Sequence, residues 1–128
     1  MTPRQRIKPN QPVPLSARIV EDAIEAILVY YSVLDAPINE QDLIGRSRDS
    51  YTVKVRAVVM FFLKTECHWS YPTIGARFER DHTSVINMVR RTRTLVPEQE
   101  MDDVYDYART RVAEALTDRR LNLLRGVS

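Results

Sequence analysis

Residues 72–91, PTIGARFERDHTSVINMVRR, constrain the fold more than any other stretch, because two helical repeats meet there with almost no chain between them. Pro72 suits a first helical turn, where its missing N–H is not needed. Ile74 and Phe78 stand four apart and so share one buried face. Asp81 fits an N-cap, with Thr83 and Ser84 in the first turn of the helix that follows. Val85, Met88 and Val89 then fall at i, i+3 and i+4, which gives this second helix an inward face. Its outward surface carries Arg90 and Arg91, and His82, Thr83 and Ser84 lie at its N-terminal end. Short hydrogen-bonding side chains at a helix tip and arginines along its flank suit a DNA major groove. The tip meets base edges while the flank meets phosphates. The stretch reads as a helix-turn-helix.

The rest of the chain follows helical patterns. Residues 1–14 hold four prolines with Arg4, Arg6 and Lys8 between them, which predicts an extended or disordered basic arm reaching to residue 15. Such an arm can lie along DNA or be a plain tail, and both readings stay open. Ser16 is the expected cap of a first helix. Ile19, Val20, Ala23, Ile24, Ile27, Leu28 and Tyr31 form its core stripe. Residues 33–37 break that helix, Asn39 caps a short second one through Ile44, and Gly45 stands just past its end. In residues 52–66, Val53, Val55, Val58 and Val59 would suit a strand. The length and the spacing of Ala57, Met60, Phe61 and Lys64 favour a buried helix instead. Cys67 to Ser70 is a connector in which Trp69 packs on the core.

Pro97 opens a last helix, acidic in its early turns and basic later, as the helix dipole favours. Met101, Val104, Tyr105, Ala108, Val112, Ala115 and Leu116 give it one apolar stripe, with Leu121, Leu123 and Leu124 at its end. The stripe is expected to fold back on its own domain; a homodimer through this helix is the alternative. The chain is therefore predicted to be all-α. Residues 1–15 form the arm, residues 16–96 a helix-turn-helix domain, and residues 97–128 an amphipathic C-terminal helix.

Charge and composition narrow the function. The net charge is only +2, yet residues 46–93 hold ten Lys/Arg against four Asp/Glu, while each flank sums to −2. A positive middle between acidic ends fits a localised polyanion site, or a solvated surface clustered by chance. The single cysteine, Cys67, forbids an internal disulfide and fits a reducing cytosol. The longest apolar run, residues 57–63, is far short of the ~20 residues of a membrane span, so a cytoplasmic, nucleoid-associated protein is expected. Cys67, His68 and His82 lack paired ligand spacing, so no metal is expected. No nucleophile stands beside an obvious base, and no GxxxxGK[ST] loop occurs. No enzyme activity, cofactor or small-molecule substrate is expected, and no ATPase module beside the domain.

RDHTSV, preceded by PTIG and followed by VRR, resembles the signature of the C-terminal DNA-binding domain of the bacterial replication initiator DnaA. Tyr30-Tyr31, Asp42-Leu43, the loop of residues 45–48 and Arg56 fall where that family has similar residues, so the likeness spans residues 17–95. It implies a Trp-repressor-like helical bundle that binds double-stranded DNA sequence-specifically. Asp81, His82 and Thr83 match the base-reading triplet, and an acidic acceptor there can take a hydrogen from cytosine N4. Ser84 matches a phosphate-binding threonine and keeps its hydroxyl. Pro72 matches a proline that approaches bases or backbone, and Tyr71 beside it replaces a smaller apolar residue. Arg48, with Arg46 as a second, matches an arginine inserted in the minor groove. Arg56 matches a phosphate contact, with a structural salt bridge as its competing role. Phe78-Glu79-Arg80 is one residue shorter than the family's glycine-containing turn, which would tilt the recognition helix, and Arg80 is free to pair with Asp81 or Glu79. The implied role is a transcriptional regulator or a modulator occupying initiator-like sites. The alternative is a protein-interaction adaptor that works through the C-terminal helix.

Overall fold

The computed structural model describes residues 15–126; the predicted N-terminal arm, apart from Leu15, lies outside the described residues. Six helices and no strands occur among them: α1 Leu15–Leu34, α2 Glu40–Ile44, α3 Ser50–Thr65, α4 Tyr71–Arg77, α5 His82–Leu95 and α6 Glu98–Leu124. The all-α expectation holds. Helix α1 runs from Leu15, the first described residue, so the cap expected at Ser16 lies at the edge of the described residues.

Helix α3 is the centre. Val55, Ala57, Val58, Val59, Met60 and Leu63 are all fully buried, so it is covered on every side, as an almost continuously apolar helix must be. That burial overrides the strand preference of its valines. Asp49 caps it by accepting from the Thr52 amide at 2.9 Å. Asn39 caps α2 in the same way, and Asp42 answers by accepting from the Asn39 amide at 2.9 Å, a reciprocal capping box.

Helices α1 and α6 run antiparallel. Tyr31 donates to Glu100 at 2.7 Å near one end of the pair, and Arg119 meets Asp22 at 2.7 Å toward the other. Val104 and Ala108 of α6 are fully buried in the same core as Ile24, Ile27 and Tyr31 of α1. The stripe of α6 thus folds onto its own chain through Val112. Tyr105 reaches α3, standing edge-on to Phe62 with ring centroids 5.0 Å apart. Past that point Leu121, Leu123 and Leu124 are exposed. Among the described residues no helix is long and apolar enough to cross a membrane.

Candidate nucleic-acid interface

The turn between α4 and α5 sets the aim of the outer helix. Ile74 and Phe78 are fully buried and anchor α4, with Ser70 capping its start at the Thr73 amide. The Arg80 amide donates to the Gly75 carbonyl at 2.8 Å, which folds the chain back over α4. A Cβ on Gly75 would lie 2.4 Å from the Arg80 carbonyl oxygen, so this approach requires glycine. Glu79 takes φ +54°, a left-handed conformation adopted by an ordinary side chain in a turn without glycine.

Helix α5 then begins at Asp81, whose carboxylate accepts from the Thr83 amide at 3.1 Å. Val85 and Val89 face the core, as their spacing predicts. Thr92 joins them fully buried, a position the apolar pattern missed because threonine is polar. Its hydroxyl donates to the Met88 carbonyl at 2.9 Å, which satisfies it inside the core. The opposite side is open: Asp81, His82, Thr83, Ser84, Arg90 and Arg91 are all exposed. The His82 imidazole stands 3.5 Å from Asp81, with 57% of its side chain accessible. A helix N-terminus with unspent N–H groups adds partial positive charge at this tip.

The basic loop is held at both ends. The Ser47 hydroxyl donates to Asp49, and that bond, with the Thr52 amide, holds the Asp49 carboxyl down at about 2. At the other end two arginines grip the carbonyls where α2 stops. Arg56 donates from Nε to Leu43 at 2.9 Å and from its terminal nitrogens to Gly45 and Ser47 at 3.2 and 3.3 Å. Arg80 donates to Leu43 at 2.9 Å and to Gly45 at 2.6 Å. A helix C-terminus leaves such carbonyls without amide partners, and cations satisfy them. Between these anchors Arg46 and Arg48 project exposed, with no hydrogen bond or ion pair among the described residues.

Two expectations need correction here. Arg56 is only 3% exposed and its guanidinium is committed to main-chain carbonyls, so the expected salt bridge is absent among the described residues and little of the side chain is left to meet a phosphate. Burial is the main cause that lowers its pKa, with the Arg80 charge second. Arg80 pairs with neither Asp81 nor Glu79, because the unpaired end of α2 lies within reach. Tyr71 is half-buried against the core, with the Lys64 ammonium 4.3 Å from its ring centre. Pro72 is exposed at the start of α4.

Loop and helix share one side of the molecule. A cleft of about 850 Å³ is lined by Arg46, Arg48, Lys54, Arg56, Arg80 and Arg91, and Asp35 is the acidic group in its wall. Lys54, which sequence reasoning left out, enters from α3 and is bound to Glu100 at 3.2 Å. No local signal could have found it, since its place depends on how α3 is rotated. A cleft so lined concentrates positive potential, which draws polyanions. Among the described residues no three His, Cys, Asp or Glu side chains gather as a metal would require. Burial pushes the Cys67 thiol up to about 11, leaving it protonated and unreactive.

Comparison with known proteins agrees with the helix-turn-helix fold. The family model of the bacterial DnaA protein helix-turn-helix matches residues 21–92. The chromosomal replication initiator protein DnaA of Rhizobium meliloti (strain 1021) is 35% identical over 78 residues, 60% of this chain and 15% of the relative. The protein of the same name from Nitrobacter hamburgensis is 34% identical over 94 residues, 73% of this chain and 18% of the relative. The chain thus spans less than a fifth of the length of these relatives. No solved structure matches it at comparable significance.

Proposed function

We propose a function from one premise: the chain belongs to the bacterial DnaA helix-turn-helix family, whose model covers residues 21–92. A domain of this kind binds double-stranded DNA and is not itself catalytic. In our reading the binding is sequence-specific and uses both grooves. Helix α5 enters the major groove, where His82 and Thr83 meet base edges and the outer oxygen of Asp81 accepts from a cytosine amino group. Ser84, Arg90 and Arg91 hold phosphates along the groove wall. Arg48, with Arg46 beside it, enters the adjoining minor groove, where a narrow A·T tract has the strongest negative potential. Tyr71 and the shortened turn set the target apart from the initiator's own box. Biologically the protein acts at initiator-like sites, as a modulator of replication initiation or as a transcriptional regulator.

One observation carries this reading. Two exposed, unpaired arginines of a clamped loop and Arg91 of α5 line the same basic cleft. Two grooves of one duplex can therefore be engaged together. The test is selection of bound sequences from a random duplex pool, followed by salt-titrated binding to the winner. With ~4 phosphates engaged, affinity should fall roughly 100-fold between about 50 and about 200 mM salt. His82→Ala should weaken the selected site by about 10-fold or more while leaving random duplex nearly unchanged, and Arg48→Ala should weaken the selected site as much and random duplex by less. Unaltered affinity in the double variant would remove the site from this face.

A further inference from the structure

We propose that Arg80 is a positioning residue: it holds the loop of residues 46–48 in register with α5 and does not itself touch DNA. The inference rests on the two-groove reading above.

Arg80 immediately precedes Asp81, the cap of α5, so its backbone moves with the recognition helix. Its side chain crosses to α2. One guanidinium nitrogen donates to Leu43 at 2.9 Å, to Ile44 at 3.2 Å and to its own turn at Phe78 at 3.0 Å. The other donates to Gly45 at 2.6 Å, the carbonyl directly before Arg46. A single planar group thus ties the turn that aims α5 to the residue from which the basic loop departs. Arg56 grips Leu43 and Gly45 from the opposite element, α3, and also holds Ser47. Neither arginine has a carboxylate partner among the described residues.

Placing two like charges on the same carbonyls is an unfavourable way to cap a five-residue helix, for which one cation suffices. It is a sound way to make a joint. Each guanidinium is a rigid fork with several fixed donors, so two forks entering from different elements leave the carbonyl cluster little freedom to shift. The joint matters because side chains in two grooves must arrive together. Tolerances for such paired contacts are about half an ångström, and slack between the two readers is lost as binding entropy.

The experiment is a double-variant cycle on the full chain with the selected duplex: Arg48→Ala, Arg80→Gln and the two combined, with helix content and Tm recorded for each. Arg80→Gln should lose roughly 10-fold in affinity, and adding Arg48→Ala to it should lose less than about 2-fold more. With Arg80→Gln, hydroxyl-radical footprinting should show the minor-groove protection gone, while dimethyl sulfate footprinting should show protection of guanine N7 by α5 retained. Multiplying losses, or a salt slope shallower by about one, would mean that Arg80 is an independent phosphate contact, and the proposal fails. It fails equally if Arg80→Gln binds as the wild type does. Should Arg80→Gln not fold, the wild-type protein still decides: the Arg80 guanidinium protons should be protected from exchange in the free protein and keep their NMR shifts when DNA is added. A large shift on binding overturns the assignment. A wild type that binds no duplex at all refutes the function above; the cycle tests Arg80 only once that binding is established.

Discussion

The two sides of this molecule use the same charged residue types for opposite purposes. On the α1–α6 side the half-buried charges that face the core are matched within the chain. Arg119 meets Asp22, Arg109 meets Glu66, and Glu100 takes both the Tyr31 hydroxyl and Lys54. Burial first, and then the Glu100 carboxylate, hold the Tyr31 phenol well above its ordinary range. On the other side Arg46, Arg48, Arg90 and Arg91 stand exposed without a partner among the described residues, over two arginines that are wholly occupied with carbonyls. The lesson is that charge counts do not identify a binding face. Unpaired cations gathered along one cleft do, because a matched or isolated charge has little to offer a polyanion.

That contrast can be broken at three points. The largest effect is expected from Val104→Asp, which places an unpaired carboxylate at a fully buried position between α6 and α1. A loss of about 3–5 kcal/mol is expected, a large part of a small domain's stability, and circular dichroism should show a collapsed or absent thermal transition. If the fold survives with its Tm intact, α6 is an appendage and the matched side is not structural. Next comes a crossed pair. Glu100→Ala should cost about 1–3 kcal/mol by stranding the Tyr31 hydroxyl, without weakening affinity for the selected duplex once the protein is folded, since the Lys54 it frees adds positive charge to the cleft. Arg91→Ala should do the reverse: roughly 10-fold weaker binding, with stability within about 0.5 kcal/mol of wild type. Equal effects of the two on both readouts would dissolve the distinction between the faces.

The smallest effect belongs to Asp49, where loop and core meet. Its folded pKa is depressed to about 2 from the ordinary 3.8, first by the Ser47 hydroxyl and then by the Thr52 amide. A depressed carboxylate contributes stability above its unfolded pKa and loses it as pH falls through the folded one. The Tm difference between wild type and Asp49→Asn should therefore be constant above about pH 4 and shrink progressively toward about pH 2. A difference independent of pH over that window would show that the carboxylate charge is not what caps α3.

Much of the fold was legible from periodicity and caps. Asn39 and Asp81 mark helix starts in sequence and perform that task in space, because capping is a bond between neighbours in the chain. The inward side of α5 was legible for a similar reason, apart from Thr92. The candidate interface was only half legible. Exposed His82, Thr83 and Arg91 follow from the helix's own repeat, whereas Lys54 enters the cleft and Arg56 leaves the surface through packing that no local pattern encodes.

Local chemistry in this chain determined which segments are helical, where most of them begin, and which side chains of α5 turn outward, because each of these depends on residues within one or two turns of each other. The assignment of its arginines was decided only in three dimensions. Arg48 and Arg56 are eight positions apart and look alike on paper, yet one is exposed and the other is 3% accessible. What separates them is the end of α2, a cluster of carbonyls with no amides left to satisfy it. Such a cluster captures whichever cations the folded chain brings within reach, and it leaves the others to meet a ligand.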